Sequence, residues 1–360
     1  MSLDAAESEE VPATTGIRHS LELAGLALVS ALAAAMLGFV VVDWLQTIGG
    51  PFGAAGTSVF DAYTAAGGGF DALLGTRNLF ELPSTLRVVA TGVLVGVVGP
   101  LVGAFLVHRQ MALIGETLAH TAFAGVAVGI VAAGLTGMAA TGDRLILVAF
   151  VVSVVAALGV QQLTERTDSY GDVPIAIVLA GSFAVGTLLI SAFREQVPIG
   201  IDIEDFLFGQ VAVVTIDGMR LVAVLTVVVT GLVLVSYKQF LFITFDEQAA
   251  RAARMNVDRY NSLLIVMTAV VVVGAMQILG VILVAGLLVI PPAAASQVAR
   301  DFRETLYLSV LLGQFAVVSG LVFAIVAGLP AGGSIIVVAI LLYGLAILTS
   351  DRSHEALSAD

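Results

Sequence analysis

No cysteine occurs among the 360 residues. That excludes disulfide scaffolds, thiolate metal centres, cysteine nucleophiles and iron–sulfur clusters together. Charge is scarce as well: 12% of residues are charged, about half the share usual in a soluble domain. Lysine is nearly missing, with Lys238 alone against fourteen arginines and a net charge of -12, so there is no basic footprint for nucleic acid. An acidic, lysine-poor surface suits a high-salt cell. No G-x-x-x-x-G-K-[ST] phosphate loop is present, so the chain does not power itself through a P-loop. H-E-x-x-H is absent too, which removes the simplest intramembrane metalloprotease reading.

What the chain has in quantity is apolar sequence, 59% of its residues. A soluble fold of this length cannot hide so much apolar surface, whereas a bilayer is itself the solvent for outward faces. Runs near the length of one span predict helices at about 21–42, 86–107, 111–134, 144–162, 174–193, 219–237, 261–282, 284–299, 305–328 and 332–350. The 284–299 run is short and carries Pro291-Pro292, so it reads as a short or broken span. The expected fold is all-α, a polytopic membrane helix bundle of about nine transmembrane helices surrounded by lipid.

Three regions follow. Residues 1–81 read as an acidic cytoplasmic tail, an extra transmembrane helix and a glycine-rich external loop (GGPFGAAG, AAGGGF); residues 82–350 form the core, and 351–360 a cytoplasmic tail. The first twenty residues are acidic where a cleavable signal would be basic, and the run after Leu21 is long enough to span. Placing the segment before Leu86 outside puts Arg18, Arg109, Arg166, Lys238, Arg251, Arg254, Arg259, Arg300, Arg303 and Arg352 in the cytoplasm, ten bases against the five at Arg77, Arg87, Arg144, Arg194 and Arg220. The positive-inside bias therefore makes both termini cytoplasmic in a plasma-membrane protein.

Charge inside the membrane is costly and asks for a reason. In GETLAHTAFAGVAVG, Gly115 to Gly129, Glu116 and His120 stand four apart and share a helix face. A carboxylate with an imidazole is half of a site for zinc, manganese or iron(II). Thr117 and Thr121 stand beside the pair as hydrogen-bonding support, and Ala122, Ala124, Gly125 and Ala127 let another helix come close. The pair reads equally as a hydrogen-bonded lock between helices, or as a proton relay. Further ligands would come from other helices, with Gln277 one candidate.

Three other segments stand out. FDEQAARAARMNVDRY, Phe245 to Tyr260, is charged and helix-prone; Asp246 can cap a short helix built on Ala249, Ala250, Ala252 and Ala253. Such a helix suits docking into a partner's groove, or lying in the interface as an amphipathic element. In GVILVAGLLVIPPAAASQVAR, Gly280 to Arg300, the two prolines are expected to break the backbone ladder at membrane depth. FLFGQVAVVTIDGM, Phe206 to Met219, follows the acidic residues Asp202, Glu204 and Asp205, which read as an external cluster or a solvated face. His19, His108 and His354 read as ordinary terminal or helix-end residues.

Together these segments resemble the permease family of zinc and manganese ATP-binding-cassette importers. That family carries Gly–Asp–x–x–x–His leading into a small-residue run with Pro–Gly. Here the segment is GETLAHTAFAG, which matches at Gly115, His120 and Gly125, with Glu116 for the Asp and Ala124 for the Pro. FLFGQVAVVTIDGM is similar to its Leu–Phe–Gly segment, and ITFDEQAARAARMNV to its cytoplasmic Phe–Asp…Ala segment, with Arg254 in place of the usual glycine. GVILVAGLLVIPPAAASQVAR resembles its Leu–Leu–Ile–Pro–Ala–Ala helix, and GLPAGGSIIV (Gly328 to Val337) its final Pro–x–Gly segment. The resemblance covers about residues 82–350.

It implies a transport subunit rather than an enzyme, with no permanently bound cofactor and a divalent cation, zinc or manganese and after them iron, as cargo. It implies a permease homodimer, two separate ATP-binding-cassette ATPase subunits and an extracellular metal-binding protein. Glu116 and His120 would fall in the translocation path. Phe245, Asp246, Glu247, Ala250 and Arg251 would lie in the loop that touches the ATPase. The rival readings are a permease for chelated iron or cobalamin, which needs a wider and less charged path, and an ion-coupled secondary transporter, which needs no docking loop.

Overall fold

The computed structural model describes residues 13–47, 50–76, 79–136, 142–166, 173–193 and 214–350. Every regular element among them is a helix: α1 Ala13–Leu45, α2 Gly50–Leu74, α3 Pro83–His108, α4 Leu113–Thr136, α5 Gly142–Arg166, α6 Val173–Phe193, α7 Ile216–Val235, α8 Tyr237–Phe245, α9 Glu247–Ala252, α10 Val257–Leu279, α11 Val281–Val298, α12 Phe302–Ala327 and α13 Ala331–Thr349. Among the described residues nine of these helices are long and apolar enough to cross a membrane, and α5 adds the shorter apolar stretch Leu147–Gly159. Helices are the expected answer, because in hydrocarbon each backbone N–H must find its partner within its own segment.

The centre of the bundle is α3. It packs against α1, α7, α10, α11 and α12, and its residues from Val93 to Phe105 are almost all buried. A helix enclosed by protein on all sides shows no apolar stripe, and α3 has none. Around it, α11, α12 and α13 pack on one another, while α4 packs on α5 and α6; α10 touches both groups.

Two local expectations change. Residues 50–74, read as part of a glycine-rich loop, form α2. Glycine weakens a helix by about 1 kcal/mol relative to alanine, but here the tertiary contacts outweigh that. Tyr63 donates its hydroxyl hydrogen to the Ala35 carbonyl at 2.8 Å, and Phe39 of α1 stacks on Phe60 at 5.6 Å and meets Tyr63 edge-on at 5.4 Å. Asp43 of α1 pairs with Arg87 of α3 at 3.1 Å, which ties this N-terminal hairpin to the core.

The second change concerns the prolines. Helix α11 runs without interruption through Pro291 and Pro292. The break lies earlier, at Gly280, whose φ of 83° and ψ of 153° end α10 and start α11. That backbone conformation is open to glycine and hardly to any other residue. The two segments therefore form two separate helices, α10 and α11, and each contains a candidate span.

Candidate metal-transfer site

The first turns of α4 carry the pair. Gly115, Thr117, Leu118 and Ala119 are buried against neighbouring helices, whereas Glu116 points outward with 49% of its side chain exposed. One turn on, His120 is 17% exposed, and its Nε2 lies 3.9 Å from Glu116 Oε1. That distance is too long for a hydrogen bond, so the pair is not a locked brace. It is within the ~4.2 Å that two ligands can span when each lies about 2.1 Å from one ion. The imidazole is held by Phe183 of α6, whose ring meets it edge-on with centroids 5.0 Å apart, and Phe123 of α4 backs the same phenyl ring at 5.8 Å.

The threonines play a different part from the one expected. Thr117 donates to the Leu113 carbonyl at 2.9 Å, and Thr121 donates to the Leu118 carbonyl at 2.9 Å and reaches Ser153 of α5 at 3.4 Å. Successive helical residues diverge by about 100°, so the residue after Glu116 and the residue after His120 turn into the helix contact. Ala122, Ala124, Gly125 and Ala127 are buried as the small-residue reading requires. The side chain of Gln277 lies outside the described residues. Among the described residues no group of three or more His, Cys, Asp or Glu side chains converges.

The second constellation sits at the end of the bundle where α3 meets α4. Asp246 caps α9, its Oδ1 accepting from the Ala249 N–H at 2.8 Å, as its place before an alanine run suggests. Glu247 takes Arg251 at 2.9 Å, and Arg251 reaches Asp258 at 2.9 Å. Phe245 is largely exposed yet touches Phe302 and His108 with its ring, and His108 also packs edge-on against Phe302 at 4.8 Å. Ala250 is fully buried in a small core with Ile243 and Val257. It supports the segment from within and presents no surface.

Two residues escaped sequence reasoning. Arg109, in the α3–α4 turn, donates from Nη2 to Asn261 Oδ1 at 2.6 Å and lies 3.9 Å from Glu247. Burial pulls its pKa below the usual arginine range, and Glu247 opposes that pull. Gln314 of α12 is buried and neither amide atom makes a hydrogen bond; a lone Gln in LLGQFAVV was the available signal. The acidic residues Asp202, Glu204 and Asp205 and most of FLFGQVAVVTIDGM lie outside the described residues. Of that segment, Thr215 caps α7 by accepting from the Gly218 N–H at 3.1 Å.

The fold defines a multi-pass helical membrane protein with an ionisable couple in the first turns of one candidate span. The chain belongs to the ABC 3 transport family, which matches residues 81–350. The manganese transport system membrane protein MntC of Listeria monocytogenes is 28% identical over 280 residues, covering 78% of this chain and 95% of that protein. The high-affinity zinc uptake system membrane protein ZnuB of Haemophilus influenzae is 22% identical over 274 residues, 76% of this chain and 100% of that protein. Among solved structures, PsaBC from Streptococcus pneumoniae, in complex with Fab, superposes with a TM-score of 0.66 at 25% identity, covering 78% of this chain and 96% of that chain. Helices α1 and α2 both precede the family match.

Proposed function

We propose that the chain is the membrane permease of an ATP-binding-cassette importer for manganese or zinc, working as a homodimer by alternating access. The observation that carries this reading is Glu116, a carboxylate in a membrane-spanning helix that is 49% exposed on its protomer. A charge facing lipid is expensive, so this face belongs against protein or a water-filled path. With two donors among the described residues of each protomer, a second copy doubles that set to four, the usual coordination number for zinc. Few, spread ligands let the ion go again, which transport needs. The names of the relatives, manganese transport and zinc uptake, agree with a carboxylate–imidazole donor set.

The remaining parts follow the same reading. An extracellular binding protein delivers the ion. Separate ATPase subunits dock on the segment around α9 through Phe245, Asp246, Glu247 and Arg251, with Ala250 supporting them, so that end of the bundle is cytoplasmic in the plasma membrane. The chain itself does no covalent chemistry. Residues 82–350 are the transport core, and α1 with α2 is an added hairpin.

The test is uptake of radiolabelled manganese and zinc by cells that depend on this permease. Glu116→Ala and His120→Ala should each lower uptake of at least one metal by about ten-fold at unchanged membrane abundance, the effect of losing roughly 1.4 kcal/mol of ligand interaction. Wild-type uptake of both metals by both variants would remove the site.

A further inference from the structure

Arg109 occupies a junction that neither the pair nor the docking segment explains. It follows the last residue of α3 and stands four positions before Leu113, where α4 begins. Its neighbour Gln110 is held in the left-handed region at φ 57°, so the turn has a defined and uncommon shape. The Arg109 side chain is only 10% exposed. Its guanidinium bonds Asn261, the fifth residue of α10, at 2.6 Å and faces Glu247 in the first turn of α9 at 3.9 Å. The other oxygen of Glu247 holds Arg251, which in turn reaches Asp258 of α10 at 2.9 Å. One continuous polar chain thus links α9, α10 and the turn that leads into the helix bearing Glu116 and His120, seven and eleven residues further on.

We propose that Arg109 is a positioning residue that transmits movement of the α9 segment to α4 and so to the Glu116–His120 pair. This rests on the reading of α9 as the ATPase contact. The chemistry favours arginine: its guanidinium donates a hydrogen bond to Asn261 on α10 while its delocalised charge faces the Glu247 carboxylate of α9 at 3.9 Å, an arrangement that a lysine ammonium on a flexible stem holds poorly. A displacement of α9 pulls on Glu247, and the guanidinium passes it to the start of α4, a helix stiff enough to carry it along its axis. A purely structural staple would stabilise the bundle equally in every state and leave coupling alone; a transmitter changes coupling.

The experiment uses the full complex, co-expressed with its ATPase subunit and reconstituted in liposomes with the metal-loaded binding protein. It compares wild type with Arg109→Ala, Arg109→Lys, Asn261→Leu and Asp246→Arg. ATPase co-purification, basal ATP hydrolysis, its stimulation by the metal-loaded binding protein, and manganese uptake are read for each. Arg109→Ala and Asn261→Leu are expected to keep the ATPase bound while stimulation and uptake fall by about five-fold or more, the lower range of coupling between sites; Arg109→Lys should recover part of both. Unchanged stimulation and uptake in Arg109→Ala and Asn261→Leu, with both lost in Asp246→Arg, overturns the role of Arg109 and leaves the docking segment standing. Unchanged coupling in Asp246→Arg overturns the docking segment and this proposal with it. Should Arg109→Ala fail to assemble, Asn261→Leu, which keeps the guanidinium and removes its anchor, decides between these outcomes.

Discussion

The carbonyl oxygen of Leu288 points at Gly103, so closely that any side chain there would collide with it. The pairing has a cause in sequence. Residue 292 is proline, so Leu288 lacks the N–H donor that an α-helix would supply four residues on. Its freed oxygen faces the backbone of α3, where Gly103 leaves only a Cα–H, a weak but favourable partner. Helix α11 survives two prolines at membrane depth because α3 lies against the carbonyls they release.

Replacing Gly103 by alanine should therefore separate α3 from α11 at the centre of the bundle. We expect a loss of about 3 kcal/mol or more, at the upper end of overpacking costs. Thermal unfolding in detergent measures it. A melting temperature equal to wild type would show that the two helices do not approach in this way.

The proposed role of Glu116 and His120 gives a second prediction, on selectivity. Imidazole suits zinc, while manganese favours oxygen donors. His120→Asp converts the nitrogen–oxygen pair into an all-oxygen one. Uptake measured with both metals in competition should shift toward manganese by about ten-fold, equivalent to ~1.4 kcal/mol. An unaltered manganese-to-zinc ratio would mean that His120 does not touch the ion.

A third prediction concerns the end of α2. The Asp71 carboxylate accepts from the Thr76 hydroxyl and from the N–H groups of Leu79, Phe80 and Glu81 at 3.1, 2.9 and 3.1 Å. Burial alone would raise its pKa, but those four donors outweigh it and hold the group below the ordinary aspartate range. A folded pKa below the unfolded value, near 3.9, makes the contribution fully present above about pH 4. It is lost as pH falls through the lower folded value. Hydrogen exchange at the amides of residues 79–81 should accelerate in Asp71→Ala at pH 7. In the wild type, protection beyond the intrinsic acid dependence should fade only below about pH 4. Equal protection in mutant and wild type at pH 7 would remove the carboxylate from the account.

The pattern of success along the chain follows the range of the interactions involved. Spans such as α3 and α12 were legible because hydrocarbon thickness and backbone satisfaction demand a long apolar run whatever its neighbours do. The Asp246 cap was legible because donor and acceptor lie three residues apart. Helix α2 was not, because its glycines argue locally for a loop and are overruled by Phe39 and Ala35 on another helix. The boundary expected between 282 and 284 falls at Gly280, whereas the break expected at the two prolines does not occur.

By itself the sequence determined the solvent of this protein, the helical class, the approximate spans and the presence of a carboxylate and an imidazole one turn apart, since each follows from composition or from residues within one turn. Only the tertiary structure decided that Glu116 faces outward from the bundle, that Thr117 and Thr121 turn away from it, and that Arg109 meets Asn261 across 152 positions. Those outcomes depend on which helices pack side by side, and no local periodicity encodes that.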